Sequence, residues 1–183
     1  MRTALLPLFA LLLLPACIER AWDQSAVARR PQVDREQVRD LLRAPPSDAV
    51  PVAANFNDQV ELVAWKMEPA MLIPGQRTTV TLYWKCLAEL GPWRVFVHLD
   101  DVAGTGSRIH AEHDPAQGRF PTDAWKPGDT VADSFSFTAG RDSLYLYVGF
   151  YSEGENRLPL VGAGRGRDEG QNRLLAGVLP AAK

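Results

Sequence analysis

The sequence predicts an all-β protein: an immunoglobulin-like antiparallel β-sandwich of about eight strands, preceded by a short N-terminal helix and a tether. Two observations predict this class. Beyond about residue 57, apolar and polar residues alternate with a period of two, which is typical of strands that bury one face. Turn-forming pairs such as Pro74-Gly75 and Pro127-Gly128 separate these runs and leave no space for crossover helices. A small barrel is the structural alternative.

The first 16 residues have the pattern of an export signal. Arg2 precedes an apolar run from Ala4 to Leu14, which is shorter than the roughly 20 residues that a transmembrane helix needs. The run ends in Leu14-Pro15-Ala16-Cys17, which resembles the lipobox of bacterial lipoproteins. The resemblance implies cleavage before Cys17 and lipidation of its thiol, and acyl chains of this kind hold a protein on a membrane. An ordinary cleaved signal with a free Cys17 is the alternative.

The expected location and the fate of the second cysteine follow from that interpretation. With Cys17 acylated, Cys86 has no partner for an intramolecular disulfide, because the chain has 2 cysteines. Cys86 lies on the apolar face of a predicted strand, so we expect it in the core. Ile18 stands where some bacteria use aspartate to retain lipoproteins at the inner membrane. We therefore expect a lipid-anchored protein of the cell envelope, with the outer membrane favoured and the domain periplasmic or surface-facing.

The tether is expected to end in a short helix. Asp34 can cap a helix that carries Val38, Leu41 and Leu42 on one narrow apolar face. Ala44 ends it, since two prolines follow. We expect this face to dock on the main domain, with contact to a partner as the alternative. A second linker is predicted from about Ser47 to Asn57.

The rest of the chain supplies the predicted sandwich. Alternation places one apolar set from each of four strands in the core, and it turns the tyrosines of one strand, Tyr145, Tyr147 and Tyr151, outward as a stripe. The predicted parts are a signal peptide (1–16), an anchor, tether and helix (17–55) and the sandwich (56–180). The predicted strands are Val60–Met67, Thr78–Cys86, Arg94–Asp100, Arg108–His113, Thr130–Thr138, Ser143–Tyr151, Leu158–Val161 and Arg173–Leu179.

Charge and motifs exclude several functions. The 20 basic and 22 acidic residues give a net charge of -2, without the basic surface that nucleic-acid binding needs, so we expect no nucleic-acid partner. The sequence has no Gly-x-Ser-x-Gly nucleophile motif, and its glycine-rich stretch at residues 162–167 opens no helix that could hold phosphate. We expect no catalytic residues and no cofactor.

One group of residues suggests a metal site. His98, His110, His113 and Asp114 lie within a short stretch. On a strand, however, His110 and His113 point to opposite faces, and a turn at Glu112 would be needed to bring the ligands together. We therefore expect no bound metal.

An ordered set of motifs covers about residues 56 to 180. Together they resemble the extracytoplasmic all-β domain appended to membrane glycosyltransferases of the dolichyl-phosphate-mannose mannosyltransferase type. The resemblance implies an immunoglobulin-like sandwich outside the cytoplasm, and it implies no transferase activity, because the chemistry of those enzymes lies in their membrane-embedded part. The motifs are Thr81-Leu82-Tyr83-Trp84, Val95-Phe96-Val97-His98-Leu99, His113-Asp114-Pro115, Phe120-Pro121-Thr122, Trp125-Lys126-Pro127-Gly128, Asp133, Val148-Gly149-Phe150-Tyr151 and Arg157-Leu158.

Within these motifs, we expect Trp125 to anchor a long loop and Arg157 to pair with Asp133 or Asp114. The functional alternative is that Trp125, His98, Asp114 and Arg157 line a shallow sugar site.

The sequence favours a non-enzymatic envelope lipoprotein that binds a glycan or a protein partner, with the three tyrosines as part of the binding surface. Two alternatives remain open. One is an accessory subunit of a glycan-assembly or glycosyltransferase complex, and the other is a metal-assisted enzyme that uses the segment from His98 to Asp114.

Overall fold

The computed structural model describes residues 30–152 and 156–182, so the predicted signal peptide and Cys17 lie outside the described residues. Within these ranges, ten strands form two five-stranded antiparallel sheets, which confirms the predicted all-β sandwich. Sheet 1 has the order β6-β3-β2-β1-β8, and sheet 2 has the order β5-β4-β7-β10-β9. The strands are β1 Val50–Phe56, β2 Val60–Glu68, β3 Arg77–Cys86, β4 Arg94–Asp101, β5 Ile109–His110, β6 Thr130–Thr138, β7 Leu144–Tyr151, β8 Leu160–Gly162, β9 Arg167–Asp168 and β10 Leu174–Leu179.

The core lies between the two sheets and is built from the inward positions of the strands. At its centre, the Trp84 ring lies 4.6 Å from that of Phe150, and Phe56 packs edge-on against both. The four predicted core sets are buried, as the alternation requires. They are Val80, Leu82 and Trp84; Val95, Val97 and Leu99; Val131, Phe135 and Phe137; and Leu144, Leu146, Val148 and Phe150.

Cys86 is part of this core, as predicted. Its side chain is fully buried, and its Sγ lies 3.1 Å from the carbonyl oxygen of Ala88. Burial raises the pKa of the Cys86 thiol to about 11. Because the thiolate is the nucleophilic form, this cysteine is suited to packing and not to catalysis.

The linker predicted from Ser47 to Asn57 is wrong, because Val50–Phe56 forms β1 in sheet 1. The sandwich therefore begins before residue 56. Pro51 argues against a strand in the sequence, since proline cannot donate to a sheet ladder. The structure accommodates it near the start of β1, where β8 does not pair with the strand and where the register with β2 shifts between Pro51 and Ala54.

A short helix precedes the sandwich, but it is a 3-10 helix of Arg39–Leu41 and not the predicted helix from Asp34 to Ala44. Isolated helices of this length are marginal, so tertiary contacts decide the conformation. Those contacts confirm the predicted docking: Val38 is 2% exposed, and the Arg35 guanidinium donates to both Asp129 oxygens at 2.8 and 2.6 Å. Among the described residues, no helix has the length and apolar character needed to cross a membrane.

A buried carboxylate connects the two sheets. Asp133 of β6 is fully buried and accepts hydrogen bonds from the Ala116 backbone N–H at 2.8 Å and from His113 Nε2 at 2.9 Å. The His113 backbone N–H donates to Val95 of β4, in the other sheet. His113 Nδ1 faces the Ala111 carbonyl oxygen at 2.8 Å. Since both ring nitrogens face acceptors, the protonated imidazolium satisfies this site best.

The charge of His113 is coupled to the stability of the fold. Burial lowers the pKa of His113, but the hydrogen bond and the negative charge of Asp133 outweigh burial, and Asp114 adds to them, so the pKa is raised. A raised pKa in the folded state means that protonation stabilises the fold. The contribution is complete below the unfolded pKa of about 6.5 and is lost as the pH rises through the folded pKa.

We therefore expect His113→Phe, which keeps a ring but removes both donors, to lower the free energy of unfolding by about 3–5 kcal/mol near pH 6. The difference from wild type should shrink as the pH is raised from 6 toward 9, because wild-type His113 loses its proton as the pH passes its raised folded pKa. Urea unfolding of both proteins at the two pH values measures this. A difference that stays the same at the two pH values would contradict the assignment.

Candidate functional site

A cleft of about 810 Å³ opens on the outer face of sheet 2. It is bounded by β4, the end of β7 and two connecting loops. Three residues predicted for the binding surface, His98, Tyr151 and Arg157, lie together in it. The cleft is lined by Arg94, Phe96, His98, Glu112, Tyr151, Asn156, Arg157, Gln171 and Asn172.

The floor of the cleft is an aromatic ring held over a glycine. Alternation turns Phe96 to the outer face of β4, where it is paired in register with Gly149 of β7. A Cβ at Gly149 would collide with Cε1 and Cζ of the Phe96 ring, so only glycine lets the ring lie this close to β7. The Arg157 guanidinium covers the ring from the other side, with its Cζ 4.3 Å from the ring centroid. Phe96 is therefore 2% exposed although it lies on an outer face.

Two more arginines stack on aromatic rings of this face. Arg94 lies over Tyr151 at 5.3 Å, and Arg173 lies over Tyr147 at 4.2 Å. Contacts of this kind are worth about 0.5–2 kcal/mol each. Burial raises the pKa of Tyr151 above its ordinary value, so its hydroxyl is neutral at physiological pH. The face thus presents planar cations and aromatic rings in alternation.

One end of the cleft holds a histidine–glutamate–histidine group. His98 Nε2 and His110 Nδ1 lie 2.8 and 2.9 Å from the same Glu112 oxygen, Oε1. Burial lowers the pKa of His98, so its contact with Glu112 at neutral pH is a hydrogen bond from a neutral ring and not an ion pair. Burial raises the pKa of Glu112, but the hydrogen bonds from His110 and His98 outweigh it, and the pKa is lowered.

Two buried polar atoms of the cleft have no hydrogen-bond partner among residues 30–152 and 156–182. They are Nδ1 of His98 and Nη1 of Arg157. Buried polar groups are nearly always paired in folded proteins, with protein, water or ligand. Both atoms are shielded from solvent, so they mark unsatisfied hydrogen-bonding capacity beneath the surface of the cleft.

Trp125 does not belong to the cleft, which corrects the sugar-site alternative. Its indole is fully buried, and Nε1 donates to the Phe120 carbonyl oxygen at 3.0 Å. Trp125 anchors its loop, as the structural interpretation expects. Asp114 lies at the cleft margin, where its carboxylate accepts a hydrogen bond from Arg94 Nε at 2.7 Å. The predicted pairing of Arg157 with Asp133 or Asp114 is wrong, because Arg157 stacks on Phe96.

The three predicted tyrosines do not form one exposed stripe. Tyr147 is 6% exposed because Arg173 covers its ring, and Tyr145 is half-buried beside it, outside the cleft lining. Only Tyr151 lines the cleft. Alternation correctly assigns all three to the outer face, but it says nothing about the loops that cover that face.

Several cleft residues lie outside the set that the sequence predicts. Glu112 was detectable, because it lies two residues after His110 and so shares its face. No sequence pattern predicts that Gln171 and Asn172 line the cleft. Both have positive φ values, 53° and 57°, and the Asn172 side chain accepts a hydrogen bond from the Leu160 backbone N–H at 3.1 Å. The position of these two residues in the cleft wall depends on tertiary contacts of this kind.

Comparisons with known proteins give a fold and no family. The chain matches no protein-family model, and no curated protein matches it. One similar solved structure is the crystal structure of the C-terminal domain of Wzt, with a TM-score of 0.52 and 12% sequence identity over 84% of this chain and 87% of that chain. At this identity the similarity shows the all-β fold alone. The resemblance to the glycosyltransferase-associated domain stays a prediction.

The close approach of Phe96 to Gly149 can be tested by adding one methyl group. We expect Gly149→Ala to lower the free energy of unfolding by about 1–3 kcal/mol, because the ring must move. Gly140→Ala is the matched control, since a Cβ there meets nothing within 4 Å, and it should change stability by less than about 0.5 kcal/mol. Urea unfolding measures both. Equal effects of the two variants would show that the ring is free to shift.

Proposed function

We propose that this protein is a non-enzymatic lipoprotein of the bacterial cell envelope, and that it binds a glycan in the cleft on the outer face of sheet 2. The observation that carries the proposal is the cleft itself, which combines aromatic rings, arginines and side-chain amides in one concave surface.

The chemistry of the cleft suits a sugar. A sugar ring offers an apolar face of C–H groups and a rim of hydroxyl groups, so it needs a flat apolar contact together with several hydrogen-bonding groups. Tyr151 supplies an aromatic surface. Arg157 and Asn172 supply planar groups that donate hydrogen bonds, and Glu112 supplies an acceptor. Ligand sites commonly have this composition, with a few placed polar groups in a concavity.

A protein partner fits the cleft less well. The fully buried centre of a protein interface is usually more apolar than the rest of the protein surface. The large apolar side chains that are exposed in the described part of the chain lie outside the cleft lining. They are Val50, Met71, Ile73, Val102, Val161 and Val178.

The location in this proposal comes from the sequence. The lipobox-like Leu14-Pro15-Ala16-Cys17 supports a lipid anchor, and residues 18–29 then separate that anchor from the first described residue, Arg30. A tethered binding domain of this kind would act at the membrane surface. The high pKa of the buried Cys86 thiol supports the absence of a cysteine nucleophile.

Glycan binding should depend on Arg157 and Tyr151. On an array of bacterial envelope saccharides, we expect the wild-type protein to bind a subset. Arg157→Gln and Tyr151→Ala should each weaken that binding by about 10- to 100-fold, since each removes a direct contact. Arg77→Gln is the matched control, because Arg77 is exposed at the start of β3 in sheet 1. If no saccharide binds, or if Arg77→Gln weakens binding as much, the glycan assignment is wrong.

Membrane attachment should depend on Cys17. We expect the wild-type protein to incorporate labelled palmitate and to fractionate with membranes, and Cys17→Ser to lose the label. Cys86→Ala, which removes the buried cysteine, should keep the label. Retention of palmitate by Cys17→Ser would show that the thiol of Cys17 is not the lipid acceptor.

A further inference from the structure

We propose that His98, His110 and Glu112 form a binding site for a divalent transition-metal ion, of which Zn²⁺ is the representative, at one end of the cleft. Metal binding and glycan binding are separate claims, and each can hold without the other.

Strand pairing brings the three residues together. His98 of β4 and His110 of β5 are direct cross-strand partners, so their side chains emerge side by side on the outer face of sheet 2. Glu112 lies two residues beyond His110, in a segment whose Ala111 backbone N–H donates to Val97 of β4. It therefore returns to the same face. The motif therefore consists of two histidines that are paired across β4 and β5, and a glutamate that lies two residues after the histidine of β5.

The donor atoms converge closely enough to hold an ion. Nε2 of His98, Nδ1 of His110 and a Glu112 carboxylate oxygen all lie within 4.8 Å of one another. Tetrahedral zinc with ligand distances of about 2.1 Å needs ligand atoms about 3.4 Å apart. The shortest separations here are 2.8 and 2.9 Å, both to the shared Glu112 oxygen. Because both short separations involve Glu112, a small rotation of its partly exposed side chain lengthens both, and His110, which is 59% exposed, can adjust with it.

The donor set selects the class of metal. Two imidazole nitrogens and one carboxylate oxygen suit Zn²⁺ and related transition metals, whereas Ca²⁺ and Mg²⁺ prefer sites made entirely of oxygen. Three protein ligands leave a coordination position open. The exposed side of His110 gives the ion a path from solvent.

The neighbouring candidate ligands are already engaged elsewhere. His113 points inward to Asp133, and the Asp114 carboxylate accepts a hydrogen bond from Arg94. The site is therefore different from the one that the sequence suggests, since it replaces His113 and Asp114 with Glu112. The geometric objection to a metal site applies to His110 with His113, and it does not apply to His110 with Glu112.

Titration of the chelator-treated protein with Zn²⁺ tests the proposal, with purification on a tag that contains no histidine. We expect saturable binding of one equivalent by calorimetry, and with Co²⁺ the visible absorption bands of a nitrogen- and oxygen-ligated ion. His110→Ala and Glu112→Gln should each weaken Zn²⁺ binding by about 100-fold or more, which exceeds the usual effect of losing a group outside the ligand set. Glu68→Gln, at the exposed end of β2 in sheet 1, is the matched control and should leave the Kd unchanged.

His110 is exposed, so its variant should fold, and an unchanged circular dichroism spectrum verifies this. The proposal is overturned if the wild-type protein binds no Zn²⁺ at one equivalent. It is also overturned if folded His110→Ala and Glu112→Gln bind Zn²⁺ as tightly as wild type. Because no saccharide is present in these titrations, a failure of glycan binding leaves the result unaffected.

Discussion

The central constraint on this structure is the buried contact between Asp133 and His113. Asp133 comes from sheet 1, and His113 lies beside β4 of sheet 2, so their contact of 2.9 Å joins the two layers inside a largely apolar core. It also determines which side chains of the segment that contains His113 point inward and which point outward. Because side chains alternate along an extended segment, an inward His113 requires an outward Glu112 and an outward His110. A buried contact between an aspartate and a histidine thus determines which residues reach the outer surface.

On the outer face of sheet 2, side chains pack closely against one another, so residues that point outward can still be buried. Gly149 lets the Phe96 ring lie against β7, and Arg157 covers that ring. Arg157 is placed by its backbone pairing with Tyr151, where the chain returns beside β7. The result is a cleft with an aromatic floor and polar walls. A flat sheet face without these loops would offer no concave site.

The sequence predicts the fold well because the alternation of apolar residues is a local property. It places Trp84 and Phe150 in the core and assigns Tyr147 to the outer face, and all of this agrees with the structure. It fails where tertiary contacts override local preference, as for Pro51 in β1 and for the helix predicted from Asp34. The cleft was predictable in part, since His98 and Arg157 were candidates. Its remaining walls depend on long-range pairing, which no local pattern contains.

The central claim is that the cleft on sheet 2 is the glycan-binding site. The most direct measurement is a set of backbone amide NMR shifts, recorded while oligosaccharides released from bacterial envelopes are added to the protein. We expect saturable shift changes clustered at Phe96, His98, Tyr151 and Arg157, with sheet 1 unchanged. Saturable changes that cluster on sheet 1, or no changes at any saccharide concentration, would contradict it.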